Sequence, residues 1–337
     1  MTHYYLGIDL GGTNVKAGLV DGHGKLIDHV SLPTAKRESD LTQDKVVAQI
    51  VAAGKQAIAQ AGVAESQVIA VGLLSPGQAD LRRGIVLRAA NFPKWRNVHL
   101  RDKVSAAFGL PAILENDANA AAYGEWWVGC GRSAKAGPLE NFFMFTLGTG
   151  VGGGLVYQGE VVRGAFDFAT EVGHMIIEPG GEKCGCGQHG CVERYCSAKY
   201  SALRTQRKLE ESRKLRKKST LGKVLKKAGT ISSADVAAAA EAGDPFAVEA
   251  WEETCRYIAL ACINVCHFID PQVIALGGGM SKAGRFLLDG VKKQLAQEWW
   301  AMTPVKVKLI LAKLGNDAGI IGAAGVAKQA HDKGVLK

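Results

Sequence analysis

Apolar and polar positions along this chain follow two different periods, and the changes of period predict alternating strands and helices. Short apolar runs such as residues 3–10, 67–74, 111–117, 141–147 and 271–278 have the length of buried strands. Longer segments such as residues 44–62, 118–127 and 281–300 have the length and composition of helices. Strands that alternate with helices predict an α/β fold.

Two strand pairs are each joined by a glycine-rich turn, which indicates a weak internal duplication. The turn DLGGTN (9–14) joins the first pair, and the run LGTGVGGG (147–154) joins the second. The glycine turn recurs after about 137 positions, and both copies return to a Leu-Val pair. We therefore expect two related halves, each opening with a turn large enough for a phosphate group.

These turns are typical of phosphate-binding backbones, because glycine has no Cβ to keep an anion away from the N–H groups. Asp9, at the first turn, could face a magnesium ion through water, although an ordinary hairpin is the alternative there. The run 147–154 matches the GxGxxG dinucleotide pattern, but β-like residues follow where that pattern needs a helix. A third cluster, LGGGMSKAG (276–284), enters a predicted helix and suits a nucleotide's adenosine or its phosphate.

The stretch ENDANAA (115–121) places Asn116 and Asp117 where a predicted strand ends and a helix begins. One interpretation is that Asp117 is the N-cap of the helix, since Asp is favoured there, and that Asn116 only bonds the turn. Ligands of α/β proteins bind at the carboxyl ends of strands, so the other is a carboxylate that accepts a proton from a substrate hydroxyl. The pattern alone leaves both open.

Three cysteines lie within the eight residues CGCGQHGC (184–191), and a histidine lies ten positions upstream of the first. The chain has eight cysteines and no recognisable export signal, so a reducing environment favours metal over disulfides. His174, Cys184, Cys186 and Cys191 form a ligand set known for tetrahedral zinc. We predict a structural zinc ion, because protein ligands fill all four positions. Such an ion would tie the segment of Glu171 to that of Glu193.

The composition is that of an ordinary globular protein, with 47% hydrophobic and 22% charged residues in 337. No uncharged apolar run reaches the roughly 18 residues that a membrane span needs. The first residues lack the basic and apolar regions of a signal peptide, so we expect a cytoplasmic location without membrane partners.

The net charge of +9 is concentrated in residues 201–228, which hold eleven Lys or Arg and two Glu. A solvated helical face is one interpretation of this segment, and attraction of an anionic partner is the other. Aromatic residues are absent between these charges, so bases would have no stacking surface, and we expect no nucleic-acid partner.

Seven motifs together resemble the ROK family, which contains bacterial glucokinases, other sugar kinases and sugar-responsive repressors. They are LGIDLGGTNVKAGLVD, LLSPG, ENDANAAAYGE, TLGTGVGGGLV, EVGHM, CGCGQHGCVERYCS and IALGGGMS. The resemblance covers roughly residues 4 to 327, in the family's order. The histidine and three cysteines are its most specific part, because actin, chaperones and hexokinase share the glycine turns.

This resemblance implies a two-lobed actin/hexokinase-like (ribonuclease H-like) fold with a cleft between the lobes. The smaller lobe would hold residues 1–115 and 310–337, and the larger would hold 116–309 with the zinc-binding loop. The resemblance also implies an ATP-dependent hexokinase, most similar to a glucokinase, that uses Mg²⁺ and forms a homodimer.

The resemblance further implies roles for individual residues. Asp117 is similar to the family's general base, and His174 matches a position that both binds zinc and contacts sugar. The implied sugar-binding residues are Gly77, Asn91, Asn116, Asp117, Glu171, His174 and Glu193. The implied ATP-binding residues are Asp9, Gly11, Gly12, Thr13, Asn14, Lys16, Thr149, Gly150, Gly278 and Gly279.

Two positions depart from the family pattern and leave the identity of the sugar open. Thr170 stands where the family often has glycine, and Val192 where it often has tryptophan. Both are adjacent to implied sugar contacts. N-acetylglucosamine, N-acetylmannosamine, mannose and fructose therefore remain alternative acceptors, and polyphosphate an alternative donor.

A sugar-sensing transcriptional repressor is the competing function from another class. Repressors of the family carry an N-terminal helix-turn-helix domain, whereas the first strand here is expected by about residue 4. We therefore expect no such domain and favour the kinase.

Overall fold

The computed structural model describes residues 2–35, 41–89, 91–133 and 137–336. The strands found there are β1 (Tyr4–Leu10), β2 (Asn14–Asp21), β3 (Leu26–Pro33), β4 (Val68–Leu74), β5 (Gln78–Asp80), β6 (Ile85–Arg88), β7 (Ala112–Glu115), β8 (Arg132–Ser133), β9 (Gly137–Pro138), β10 (Asn141–Leu147), β11 (Val151–Tyr157), β12 (Glu160–Val161), β13 (Val273–Gly277) and β14 (Lys308–Leu311).

The α-helices of the same residues are α1 (Gln43–Gln60), α2 (Leu100–Phe108), α3 (Asp117–Trp127), α4 (Glu193–Cys196), α5 (Ala198–Glu211), α6 (Arg213–Lys218), α7 (Thr220–Ala228), α8 (Ser233–Glu241), α9 (Pro245–Ile269), α10 (Arg285–Glu298) and α11 (Ala318–Asp332). Short 3₁₀ helices cover Glu65–Gln67, Val172–His174, Gly279–Ala283 and Gly315–Asp317. None of these described helices is both long and apolar enough to cross a membrane.

Two sheets with matching strand orders bear out the internal duplication. The first has the order β3-β2-β1-β4-β7 and the second the order β12-β11-β10-β13-β14. In both sheets the central strand pairs in parallel with the next strand in the order. These pairs are β1 with β4 and β10 with β13. Parallel strands need crossover connections, which explains the helices between them.

Most predicted elements are confirmed, and the differences lie at their ends. The strand predicted at 111–117 stops at Glu115, because Asn116 caps α3 through its side chain. The helix predicted at 281–300 is split, because Gly284 has a φ of 60° and separates a 3₁₀ turn from α10. The segment after the glycines of 147–154 is the strand β11, so the rejection of a dinucleotide motif is confirmed.

The described residues form two compact units. The first consists of Met1–Leu139, Gly154–Ala169 and Leu314–Lys337, and the second of Glu140–Gly153 and Thr170–Lys313. The core of the first unit lies between its sheet and helices α1 and α2, where residues such as Ile8, Ile50 and Trp95 are fully buried. The lobe boundaries at 115 and 310 stay a prediction.

Helix α11 approaches the first sheet closely enough to touch its backbone. A Cβ added to Gly72 in β4 would lie 1.8 Å from the Ala323 carbonyl oxygen, and one added to Gly7 in β1 would lie 2.0 Å from that of Ile320. Glycine at these two positions is therefore what allows α11 to pack against the sheet.

A Gly72→Ala substitution tests this contact. We expect a loss of unfolding free energy of about 1–3 kcal/mol or more, because the added methyl meets backbone that cannot move aside as a side chain could. Thermal unfolding would measure it, with Gly22→Ala as the matched control, since an added Cβ there has no neighbour closer than 4.0 Å. Equal midpoints for the two variants would contradict the contact.

Candidate functional site

Three parallel strands of the first unit end side by side, and their ends carry the predicted chemistry. Asp9 of β1 is paired in register with Leu74 of β4, and Leu74 is paired with Glu115 of β7. The carboxyl ends of such strands are where α/β proteins bind ligands. The segments that follow β4 and β7 contain Gly77 and Asp117, so the fold of this unit brings those predicted residues to one edge of the sheet.

Helix α3 starts at Asp117, and two side chains shape its first turn. The side-chain Oδ1 of Asn116 accepts from the backbone N–H groups of Ala118 (2.9 Å) and Asn119 (3.1 Å). Asp117 Oδ1 accepts from Ala118 N–H at 2.8 Å. The N-cap is thus Asn116, and Asp117, which the capping interpretation placed there, is the first residue of the helix. The Oδ2 atom of Asp117 takes part in none of these bonds.

Desolvation makes the carboxyl group of Asp117 less acidic. Its side chain has exposed surface, yet the surrounding protein removes enough water to raise its pKa, against the lowering effect of backbone N–H groups. Desolvation also raises the pKa of Asp9; the charge of Asp117 raises it further and Lys16 lowers it. Asp9 and Asp117 therefore repel each other, and a cation near them would relieve that repulsion.

The first glycine turn closes on itself beside another predicted residue. Gly11 N–H donates to the Asn14 carbonyl oxygen at 2.9 Å, and Thr34 donates to the Gly11 carbonyl oxygen at 2.7 Å. A Cβ added to Gly12 would lie 2.6 Å from Asn91 Cγ, so the turn and Asn91 are neighbours. Gly12, Thr13 and Asn14 are exposed, as a phosphate-binding backbone requires.

Gly77 has a backbone conformation that suits only glycine. Its φ is 91°, and an added Cβ would lie 2.3 Å from the Arg88 carbonyl oxygen. The residue is exposed, so its peptide groups can meet a ligand.

In the second unit, the turn after β10 contacts two other predicted residues. Gly148 N–H donates to the Gly150 carbonyl oxygen at 3.0 Å, and Glu193 Oε2 accepts from Val151 N–H at 3.1 Å. A Cβ added to Gly278 would lie 2.6 Å from the Leu147 carbonyl oxygen. The second and third glycine clusters are therefore adjacent, and Glu193 is bonded to the end of the turn that contains Thr149.

The predicted metal ligands come together in the second unit. One ligand atom from each of His174, Cys184, Cys186 and Cys191 lies within 4.8 Å of the others. Cys186 Sγ is 3.6 Å from Cys191 Sγ, and Cys184 Sγ is 3.8 Å from His174 Nδ1. Sulfurs around a tetrahedral zinc ion with bonds of about 2.3 Å are about 3.8 Å apart. The four residues therefore fit such an ion.

The thiols of this cluster differ in acidity without a metal. Burial raises the pKa of Cys191 to about 12, whereas the Gln188 backbone N–H lowers that of the exposed Cys186. A cation bound here would hold the sulfurs as thiolates, so its binding would release protons. His189 is exposed on the same loop and does not belong to the cluster.

Most cations of the basic segment lie on exposed helical surface, but Arg204 is buried and pairs with Glu253 at 3.4 Å. Arg207 bonds Glu182 at 2.6 Å and Lys208 bonds Glu253 at 2.9 Å, both from α5. The cations of α6 and α7 are all exposed, as the solvated-face interpretation expects. An anionic partner stays a prediction.

Two interactions escaped the sequence reasoning. Glu115 is 1% exposed and bonds Arg163, which is 48 residues away in the chain. Glu193 bonds the backbone after a glycine turn 42 residues earlier. Glu115 had a weak signal, as a charged residue ending an apolar strand, but no local pattern identifies either partner.

The sequence of this chain is similar to those of known glucokinases over nearly its whole length. A glucokinase of Halalkalibacterium halodurans is 36% identical over 329 residues, covering 97% of this chain and 95% of the relative. A glucokinase of Streptomyces coelicolor is 34% identical over 335 residues, with coverages of 96% and 97%.

Solved structures give the same result for the fold. A ROK family glucokinase from Streptomyces griseus, in complex with glucose and AMPPNP, has a TM-score of 0.78 and 32% identity over 97% of this chain and 99% of its own. The predicted fold class, α/β of the actin/hexokinase-like type, is confirmed. Residues 5–330 match the profile described as the ROK family, and the chain belongs to that family.

Proposed function

We propose that this chain transfers the γ-phosphoryl group of ATP to the 6-hydroxyl of glucose, with Asp117 as the general base. The position of Asp117 carries the proposal. Its carboxylate follows the end of a parallel strand and has one oxygen outside the hydrogen bonds of the turn. Its raised pKa is closer to neutral pH than that of an ordinary aspartate, which suits a group that must accept a proton. The curated glucokinase relatives support the choice of reaction.

The residues proposed to hold the sugar are Gly77, Asn91, Asn116, Asp117, Glu171, His174 and Glu193. Asp117 would accept the proton of the attacking hydroxyl, while the amide and peptide groups orient the ring. Orientation contributes strongly, since misplacement by about 1 Å can cost a hundredfold in rate.

ATP is held by the exposed glycine turns. The proposed ATP contacts are Asp9, Gly11, Gly12, Thr13, Asn14, Lys16, Thr149, Gly150, Gly278 and Gly279. Mg²⁺ would neutralise phosphate charge. Asp9 fits a role facing it through water, because the carboxylate lies at the first glycine turn and is repelled by Asp117, which a cation would relieve.

The four-ligand cluster holds a structural zinc ion in this proposal. His174, Cys184, Cys186 and Cys191 fit that ion, and α4 begins two residues after the last ligand with Glu193. The metal would therefore set the position of Glu193 against the second glycine turn. We also propose two lobes, the smaller of residues 1–115 and 310–337 and the larger of residues 116–309. The proposal further includes a homodimer and a cytoplasmic location.

A coupled assay of ADP release across five sugars tests the reaction. We expect kcat/KM for glucose to exceed that for N-acetylglucosamine, N-acetylmannosamine, mannose and fructose by about tenfold or more, because one misfit group costs at least this much. 6-Deoxyglucose should compete with glucose without being phosphorylated, since it lacks the proposed acceptor oxygen. ATP hydrolysis without sugar is the background control.

The other results of this assay have distinct meanings. Preferred turnover of another sugar would make that sugar the acceptor substrate and would point to the residues around Thr170 and Val192 as its determinants. Turnover with polyphosphate and not with ATP would make polyphosphate the phosphoryl donor. Phosphorylation of 6-deoxyglucose, or no turnover of any sugar by folded protein, would contradict the proposal.

A further inference from the structure

The carboxylate immediately before the Asn116–Asp117 pair is buried and fully engaged. Glu115 is 1% exposed at the end of β7. Its Oε1 accepts from the Asn116 backbone N–H at 2.9 Å and from Asn119 Nδ2 at 3.2 Å. Its Oε2 accepts from Arg163 Nε at 2.7 Å and Nη2 at 2.6 Å. One side chain thus ties the strand end, the cap and the first turn of α3 to a distant arginine.

Arg163 is itself fixed to the fold on both sides. The preceding residue, Val162, donates its N–H to the Leu155 carbonyl oxygen at 2.9 Å, and the Arg163 carbonyl oxygen accepts from Ala169 N–H at 3.0 Å. Asp167, within the loop so closed, accepts from Leu81 N–H at 3.0 Å. The guanidinium group therefore extends from an anchored backbone and holds Glu115 in one place.

Stability alone is a poor explanation for this pair. A buried ion pair costs desolvation of both charges, and well-packed apolar residues often replace such pairs without loss of stability. The neighbouring positions of β7, Ala112 and Leu114, are buried and apolar. What the pair adds is a fixed orientation of the backbone, because its bonds hold the peptide and the helical turn on either side of Asp117.

We propose that Glu115 and Arg163 are positioning residues that hold the Asp117 carboxylate in its reactive orientation. The inference rests on the proposed function, since it names the residues that make Asp117 an effective base. Neither side chain needs to touch the sugar or ATP. Both act through the peptide and the first turn of α3.

Kinetics of Glu115→Gln, Arg163→Ala and Arg163→Lys test the pair, at a temperature where each variant is folded. We expect kcat of Arg163→Ala to fall about 100-fold, while the KM values for sugar and ATP change by less than about threefold. Free guanidinium should restore a saturable part of that kcat, since it can occupy the vacated site beside Glu115. Arg163→Lys should lose less than Arg163→Ala, because one ammonium group keeps the charge but only part of the bonding.

Glu125→Gln is the matched control. Glu125 is also a fully buried carboxylate of the first unit, and it accepts backbone N–H bonds from Cys130 at 2.8 Å and Leu314 at 2.6 Å. We expect this variant to unfold at a lower temperature with an unchanged kcat per folded molecule. An equal loss of kcat in Glu125→Gln, or near-normal kcat in the Glu115 and Arg163 variants, would overturn the positioning role.

Carboxyl ¹³C NMR of Asp117 separates this inference from the proposed reaction. In Glu115→Gln and Arg163→Lys we expect the pKa of Asp117 to move toward the ordinary aspartate value as the turn loosens, and not to move in Glu125→Gln. If wild-type protein phosphorylates no sugar, the proposed function fails, yet this shift still supports the positioning role. Identical titrations in all variants would overturn that role whatever the activity.

Discussion

Asp117→Asn should lose turnover by about 10²–10⁴-fold, the usual contribution of a general base. Asparagine keeps the shape of the side chain and can still accept the Ala118 N–H bond, so the turn should survive. Sugar binding should therefore persist, and isothermal titration with glucose would show it beside the kinetic loss. Asp117→Ala should give the same split with a less ordered turn.

The control for this variant is a carboxylate in the first turn of another helix. Asp44 lies in the first turn of α1, is highly exposed and pairs with Lys103 at 3.2 Å. Asp44→Asn should leave turnover unchanged, because a surface pair of this kind contributes little. Turnover of Asp117→Asn within about tenfold of wild type would remove Asp117 from the role of base.

The pH dependence of the reaction follows from the same carboxyl group. A general base works only when it is ionised. Because the pKa of Asp117 is raised, we expect kcat/KM to fall as the pH is lowered, with the fall centred above the ordinary aspartate pKa of about 3.9. The effect on stability has the opposite sense: a raised pKa in the folded state favours folding at low pH, and this contribution is lost as pH rises through that pKa. Asp117→Asn should therefore unfold no earlier than wild type at neutral pH.

Loss of the metal cluster should produce the largest change in stability. We expect Cys191→Ser to abolish the binding of one zinc ion per chain and to lower the unfolding midpoint by about 10 °C or more. The reason is that the ion would join His174 to the three cysteines of 184–191, so its binding free energy contributes to folding. Metal analysis and thermal unfolding with and without a chelator would measure both effects.

A second cysteine serves as the control for the metal experiment. Cys130 lies in the first unit and outside the cluster, so Cys130→Ser should keep the zinc ion and its response to chelator. Chelated wild-type protein should also lose turnover, because Glu193 follows the last ligand and bonds Val151. Folded, metal-free wild-type protein with eight reactive thiols would refute the zinc proposal.

The sequence predicted the parts of this molecule that depend on local pattern. The strand at 141–147 has the predicted bounds, and the helix predicted at 118–127 begins one residue earlier, because apolar period and glycine boundaries act over a few residues. The four metal ligands were also predictable, since the three cysteines lie close together and thiolate chemistry leaves few alternatives.

Contacts between distant residues were not predictable in this way. Nothing near Arg163 indicates that it binds Glu115, and the glycine at 72 gives no sign that a helix some 250 positions later packs on it. The split before Arg285 was missed for a different reason. Glycine at 284 is tolerated in a helix as well as in a turn, so composition alone does not choose between them.

The close contact of α11 with β1, β4 and α3 has a consequence for the order of folding during synthesis. Roughly 190 residues separate α3 from α11, a stretch that a ribosome translates in on the order of 10–40 s. Through that interval the face of the sheet around Gly7 and Gly72 stays uncovered, while the residues of the second unit emerge without interruption from 170 to 313. We therefore expect nascent chains to gain protease resistance in the second unit first, and chaperones to protect the first unit until its last helix docks.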